Sequence, residues 1–514
     1  MKTSLFLIAF ISLFSIRAQF TNVLISQDYN PNEPSIAIDP ENTDRLVAGA
    51  NLNSYYFSED GGETWVRGTL QSSSYGVWGD PCLLVDNNGD YYYFHLSSPP
   101  YGQGDFIDRI VCQKFSAGTW DEGSFFGLNG KDQDKEWAVF DRVTGNIYAC
   151  WTEFDQYGSN NSYDKTRILF VKSEDLGQTW SAPVKINETD GGCTDDDNTV
   201  EGAVPAVGPN GEIYVAWSGP AGIQFTKSTD YGQTWSPNVF VDPQPGGWDY
   251  DIPGIYRANG LPVTLCDTSG GPYHGTIYIN WSDQRNGMND TDIWLKKSTD
   301  GGATWSEAIR VNNDTGSTHQ FLSWMTIDQT TGYLYAVFYD RRSDDGVATD
   351  VYLARSTNGG ETFSNYKINE LTFYPQSNIF FGDYINIAAH DGVIRPVWMT
   401  LNNGQLKLFT ALINEDMFVS VPDANHVVDL HRSYPNPATG KAYIPFKIYR
   451  SGTIDLYLSD AQGNRVAQLV KNRDYTAGKH IYTLDIDAFR LSPGLYFYTL
   501  VSENTTLTGK LWIK

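Results

Sequence analysis

Glu33, Asp80, Lys135 with Glu136, Glu201, Asp251 with Tyr250, His319, and Asp383 with Tyr384 each stand at the start of a strand-rich segment of this 514-residue chain. If the fold gathers these segment starts, the result is a crowd of carboxyls around one opening. Crowded carboxyls push each other's pKa values apart, which suits acid/base chemistry on a glycosidic bond. The competing reading is that such groups cap strand ends and bond to neighbouring segments. Asp283-Gln-Arg285, Asp340-Arg-Arg342 and Arg257 add guanidinium forks that fit a substrate carboxylate. Arg285 and Arg342 could equally pair with the aspartate of their own loop. Asp190 and Asp195-Asp-Asp197 form an acidic loop of hard oxygen ligands suited to Ca²⁺, although the spacing matches no EF-hand and a solvated loop also explains it. His95, His274, His319 and His390 show no paired metal spacing, so no zinc site is expected. A Gly-rich phosphate loop and a G-x-S-x-G elbow are both absent.

The elements that must position these residues are repeats. One octet recurs five times: Ser58-Glu-Asp-Gly-Gly-Glu-Thr-Trp65, Ser173-Glu-Asp-Leu-Gly-Gln-Thr-Trp180, Ser228-Thr-Asp-Tyr-Gly-Gln-Thr-Trp235, Ser298-Thr-Asp-Gly-Gly-Ala-Thr-Trp305 and Ser356-Thr-Asn-Gly-Gly-Glu-Thr-Phe363. A worn copy ends at Trp120. The octet resembles the Asp box, or BNR repeat, of the sialidase superfamily. Its chemistry is that of a turn: Asp accepts bonds from turn N–H groups, Gly supplies positive φ, and the aromatic packs beneath the hairpin. These residues specify fold and are not candidates for catalysis.

Alternating Val/Ile/Tyr/Phe segments flank the boxes and define seven units. The last unit lacks a box and a fourth strand, which Thr21–Ser26 could supply. Closure from both ends of the chain removes exposed sheet edges. The fold class expected is therefore all-β: a seven-bladed β-propeller over residues 19–415, with six blades as the alternative because the sialidases it resembles have six. The boxes mark one face. The strand-start residues above mark the other, where the central funnel opens.

The superfamily resemblance implies roles by chain order. Asp80 would be the acid/base, Tyr384 the nucleophile and Glu201 its activator. Arg257, Arg285 or Arg341 would clamp a substrate carboxylate, with Arg342, Asp251, His319 and Asp383 also lining the site. The family's F/Y-R-I-P motif has no counterpart, since Asn32-Glu-Pro-Ser-Ile36 lacks the Arg. The expected function is a secreted sialidase-like glycoside hydrolase acting on an acidic sugar. The alternatives are a polysaccharide lyase using Tyr384 or His319 as base with Arg257 against a uronate, and a non-catalytic surface glycan-binding or adhesion protein. The partner expected of the site is a glycan.

Residues 431–514 read as a second, small β-sandwich after a linker at 416–430. The stretches Ser433-Tyr-Pro-Asn-Pro-Ala438, Asp460-Ala-Gln-Gly463 and Ser492-Pro-Gly-Leu-Tyr-Phe-Tyr498 resemble the C-terminal sorting domain of type IX secretion. The resemblance implies that machinery as a partner and export across the outer membrane. Lys2, the apolar run Leu5–Phe14 and a small residue at Ala18 read as a signal peptide over residues 1–18. No membrane span is expected. Net charge is −25, from 36 basic and 61 acidic residues, which argues against nucleic acid as a partner. The five cysteines, Cys82, Cys112, Cys150, Cys193 and Cys266, cannot all pair within one chain and read as buried apolar residues.

Overall fold

A computed structural model describes residues 20–514, apart from 101, 103, 344–345, 419–427, 431–432, 449–450 and 503–504. The signal-peptide segment, 1–18, lies outside the described residues, as does most of the 416–430 linker. The chain divides into two compact units, residues 1–415 and 416–514.

Among the described residues, the first unit holds seven sheets of four or five strands and one two-stranded ribbon. The innermost strand of each sheet is, in chain order, Ser35–Ile38, Gly79–Val85, Asp132–Phe140, Glu201–Val207, Val263–Cys266, Gln320–Asp328 and Asn386–His390. Each of these neighbours the next, and the last neighbours the first, so the sheets form a closed ring of blades. Thr21–Ser26 pairs antiparallel with Gln405–Asn414 and is the outer strand of the seventh sheet. The ring therefore has no free sheet edge at its seam. Second strands are buried on both faces, as in Tyr91–Leu96 and Ile147–Phe154, because each lies between two neighbouring blades.

The repeated octet is a hydrogen-bonded turn, and it is also an interblade staple. In the fourth blade the Ser228 hydroxyl donates to Asp230 at 2.8 Å and accepts from the Gly232 N–H at 2.8 Å. Asp230 accepts from the Thr234 N–H at 2.8 Å and its hydroxyl at 2.6 Å. The Thr234 hydroxyl and amide, with Ser228, hold the Asp230 carboxyl at about 2. In three of the octets the aromatic packs on the neighbouring blade rather than beneath its own hairpin. Trp180 packs on Phe94 and Phe126, Trp235 on Phe170, and Trp305 on Phe225, each time on the preceding blade. Trp120, after a two-residue turn at Ala117 and Gly118, does the same against Tyr55 and Phe57. Gly232 is glycine for two reasons: its φ is +80°, and a Cβ there would lie 2.2 Å from the Phe170 ring. Gly270 has a similar φ of +74° with open space around it. Gly232→Ala is expected to lower the melting temperature at least twice as far as Gly270→Ala in calorimetry of the full chain. The left-handed conformation costs about 1 kcal/mol in both, and overpacking adds about 1–3 kcal/mol only at Gly232.

The second unit has two ladders linked through Tyr434–Thr439, which pairs with Lys441–Ile448 on one side and Thr505–Ile513 on the other. Alternate residues of both ladders, including Ile444, Phe446, Leu484, Leu456, Leu500 and Leu511, share one core. This is the small sandwich expected. The expected linker is shorter than 416–430, because Val428–Leu430 already pairs with Lys441–Ile448.

Candidate functional site

The blades aim their chemistry through one repeated distortion. The innermost strands slip register near their starts, at Gly79/Cys82, Asp134/Trp137, Glu201/Val204 and Phe321/Trp324. Asp80 and Lys135 sit at two of these slips in the left-handed region, at φ 55° and 52°, and Glu33, just before the first blade's inner strand, takes the same conformation at 49°. A bulge re-aims a side chain, and a non-glycine residue held in this region costs on the order of 1 kcal/mol. Three adjacent ionisable residues bear that cost at one end of the ring, a pattern that collects at functional sites.

Their side chains meet in a charged network. The Lys135 ammonium bonds Asp383 at 2.8 Å and Asp80 at 3.2 Å. Arg257 donates from Nε to Asp383 at 2.8 Å, makes a second bond to Asp383 through Nη2, and reaches Asp195 at 3.3 Å. Tyr157 donates its hydroxyl to Asp195 at 2.6 Å. Glu33 accepts from the Asp383 N–H at 3.1 Å and from Asn51, whose carbonyl accepts from the Asp80 N–H at 2.8 Å. Burial pushes Asp383 up, but Lys135 and Arg257 outweigh it and hold the carboxyl at about 2. Burial, then Asp80 and Asp383, drives Glu33 well above the carboxylate range, against the pull of Lys135 and Arg257. Asp134 rises to about 7, from burial with Asp80 and Asp195 opposing the relief from Lys135. Carboxyls of one cluster are thus split between protonated and ionised forms.

Above the network lies a cavity of about 450 Å³. Glu33, Asp80, Asp134, Lys135 and Arg257 give it polar walls, and Asn32 and Asn51 add amides. Tyr29, Trp78, Phe106, Tyr157 and Phe380 also line it. Tyr29 is 77% exposed, Phe106 49% and Trp78 41%. Trp78 and Phe106 meet edge to face at 4.7 Å. Amphipathic ring faces around hydrogen-bonding groups are the composition of a small-molecule site.

Of the expected site residues, Asp80 and Arg257 line this cavity and Asp383 lies directly beneath it. Glu201 is fully buried behind Asp195 and Asp134, and burial drives its carboxyl well up. Tyr384 is withdrawn from the mouth. It packs edge-on to Trp137 at 5.1 Å, Trp137 meets Trp324 at 4.2 Å, and these aromatics from three blades close the ring's axis. Burial and the charges of Asp80 and Glu33 push its phenol well above the ordinary range. The arginines do not converge. Arg285 is held by Asp283 at 2.6 Å and Asp242 at 2.7 Å. Arg342 is held by Asp340 at 2.7 Å and Asn313 at 2.7 Å. Arg341 is buried against the Pro253 carbonyl at 2.7 Å, where burial lowers it to about 10. His319 bonds Thr291 at 3.0 Å and is held at about 4 by burial and Arg341, a neutral imidazole. Asp251 is exposed and outside the cavity lining. The within-loop pairing therefore holds for Arg285 and Arg342.

The acidic loop disperses as well. Asp190 pairs with Lys185, Asp195 with Arg257 and Tyr157, Asp196 with Asn198, and Asp197 with the Asp249 N–H. Among the described residues no three acidic, histidine or cysteine side chains form a metal-holding group. All five cysteines are buried and unpaired.

Sequence reasoning missed Asp134, Asn51, Tyr157, Trp78 and Phe106. Asp134 had a usable signal, since it directly precedes Lys135 at a strand start. Tyr157 and Phe106 come from connections between the second and third strands of their blades, where nothing local marks them.

An all-β ring of repeated blades with a charged, aromatic-rimmed mouth, followed by a separate sandwich, defines the class: a repeat-built propeller with an appended secretion module. Residues 145–378 match the BNR repeat-like domain, and residues 432–514 match the secretion system C-terminal sorting domain. The chain thus carries a BNR repeat-like domain and a type IX sorting domain, which directs it to the cell surface or exterior. Among the described residues no helix is long and apolar enough to cross a membrane. A xyloglucanase from a Paenibacillus species is 29% identical over 211 residues, covering 39% of this chain and 19% of that protein. A xyloglucanase from Acetivibrio thermocellus is 30% identical over 141 residues, covering 26% of this chain and 15% of that protein. The chain thus spans less than a fifth of the length of these relatives. The structure of a sialidase from Trypanosoma rangeli aligns at 11% identity and TM-score 0.38, covering 87% of this chain and 85% of that one.

Proposed function

We propose that the protein is an exported glycan-active enzyme, a glycoside hydrolase whose substrate binds the aromatic-rimmed mouth. The observation that carries this is the pair Asp134 and Asp80 on one cavity: a carboxyl raised to about 7 and a carboxyl bonded to the Lys135 ammonium at 3.2 Å. Asp134 in its protonated form donates to the glycosidic oxygen as the bond to the anomeric carbon breaks. Asp80, oriented by Lys135, acts on the opposite side of the sugar, either on the anomeric carbon or on an attacking water. The aromatic faces seat the pyranose rings. The partial sequence similarity to xyloglucanases and the export domain are consistent with this reading.

The test is to incubate the purified chain with xyloglucan, arabinan, sialyl-lactose and uronate polysaccharides, reading reducing ends and the ultraviolet absorbance of unsaturated uronate. Reducing ends lost on Asp80→Asn and Asp134→Asn support the reading. Unsaturated product moves it to a lyase. Absence of turnover on every substrate by folded protein favours a binding role. Tyr384→Phe separates this mechanism from one with a tyrosine nucleophile. Turnover should stay within about threefold of wild type, under 1 kcal/mol of barrier, because the buried phenol forms no phenolate. A thousandfold loss would restore Tyr384 as nucleophile.

A further inference from the structure

The mouth carries two cations, and both are already taken. The Lys135 ammonium is paired with Asp383 at 2.8 Å and Asp80 at 3.2 Å. Arg257 gives Nε and Nη2 to Asp383 and Nη1 to Asp195, and its guanidinium lies over the Phe380 ring at 5.3 Å. Asp383 is the common partner, and its side chain is 2% exposed. A substrate carboxylate would have to share either cation with carboxylates that already neutralise it, and pulling the cation away would leave the buried Asp383 uncompensated, which is the costly way to break a buried pair. Asp80 faces the same cavity, so an anionic sugar would also meet its carboxylate. The whole chain, at −25, offers no long-range attraction to compensate. The uncharged hydrogen-bonding groups and exposed ring faces at the rim remain available.

Resting on the glycan reading of this mouth, we infer that its substrate is a neutral glycan, and that Asp383 is the specificity-determining residue that denies Lys135 and Arg257 to sialosides and uronates. Asp383→Asn would remove the carboxylate that both cations share while keeping the side chain's shape, leaving Lys135 with Asp80 alone and Arg257 with Asp195 alone.

The test measures binding of the full chain, in an Asp134→Asn background that spares the polymers, to immobilised xyloglucan and arabinan and to polygalacturonate and sialyl-lactose. With Asp383 present, a neutral polymer should bind about tenfold or more tightly than either anion. Adding Asp383→Asn should raise anion binding about tenfold, and salt should erase that gain. Equal or tighter anion binding with Asp383 in place overturns the inference and leaves the glycan reading standing. Folded protein that binds no polymer overturns both. Should Asp383→Asn fail to fold, the neutral-to-anion ratio decides alone.

Discussion

Asp134→Asn is expected to cut turnover by two to four orders of magnitude, the usual worth of a positioned general acid, while still unfolding in one cooperative transition. The amide keeps the volume and the backbone contact of the original, in which Asp134 accepts from the Lys135 N–H at 2.8 Å. It cannot donate a proton to a leaving oxygen. The pH profile supplies a second, sharper readout. Burial, with Asp80 and Asp195, holds Asp134 at about 7 against the pull of Lys135. An acid must be protonated to act, so wild-type turnover should fall as pH rises through about 7. An upper limb that persists in Asp134→Asn would assign that ionisation elsewhere, with Glu33 and Glu201 next in line. The same group carries a stability cost. Its folded pKa, at about 7, lies above the ordinary aspartate value of about 4, so its share of stability is complete below about 4 and is lost as pH rises through about 7. Asn neither gains nor loses a proton there. The variant should therefore be the more stable form at pH values above about 7.

Lys135→Met should be the most damaging single change to the site's architecture, at about 3–5 kcal/mol, the range for removing one partner of a buried pair. Met matches the stem and lacks the ammonium. Asp383 keeps Arg257, but Asp80 loses the ammonium that neutralises it. Glu33 loses a charge that lowers its pKa. In the wild type, Asp383 is held at about 2, so the pair's contribution is present above the ordinary carboxylate range and lost only as pH falls through about 2. Without Lys135 the stranded carboxyls take up protons at milder acidity. The destabilisation should therefore be largest at about pH 8 and shrink towards about pH 5, as measured by denaturant unfolding at both values. A deficit that is flat with pH would mean that packing, and not charge, is what Lys135 contributes.

Several features were legible in order along the chain. Octet spacing, alternation and the orphan strand Thr21–Ser26 require only local rules and counting, and the seam pairing with Gln405–Asn414 follows from them. Strand starts were assigned to the funnel face by topology alone, and Asp80, Asp383 and Arg257 meet there. The aromatic of the octet was misplaced because its partner, such as Phe170 for Trp235, belongs to the preceding blade. The arginine clamp failed for a related reason. Arg285 and Arg342 have an aspartate two residues upstream, and a pair formed within a loop loses less chain entropy than one formed across the ring. Tyr384 stands beside Asp383 in sequence, in the connection just before Asn386–His390, yet the two side chains take different directions. The carboxylate turns to the mouth, and the phenol turns to Trp137 and Trp324.

By itself the sequence determined that this is an exported, two-part, all-β chain built on repeated blades, because turn chemistry, strand period and sorting signals are local. Only the tertiary structure decided which charges neutralise one another. Lys135 and Asp383 are 248 positions apart, and Arg257 and Asp383 are 126 apart. Whether a cation is free to bind a substrate depends on what ring closure brings within 3 Å of it, at burial too deep for water to take the partner's place.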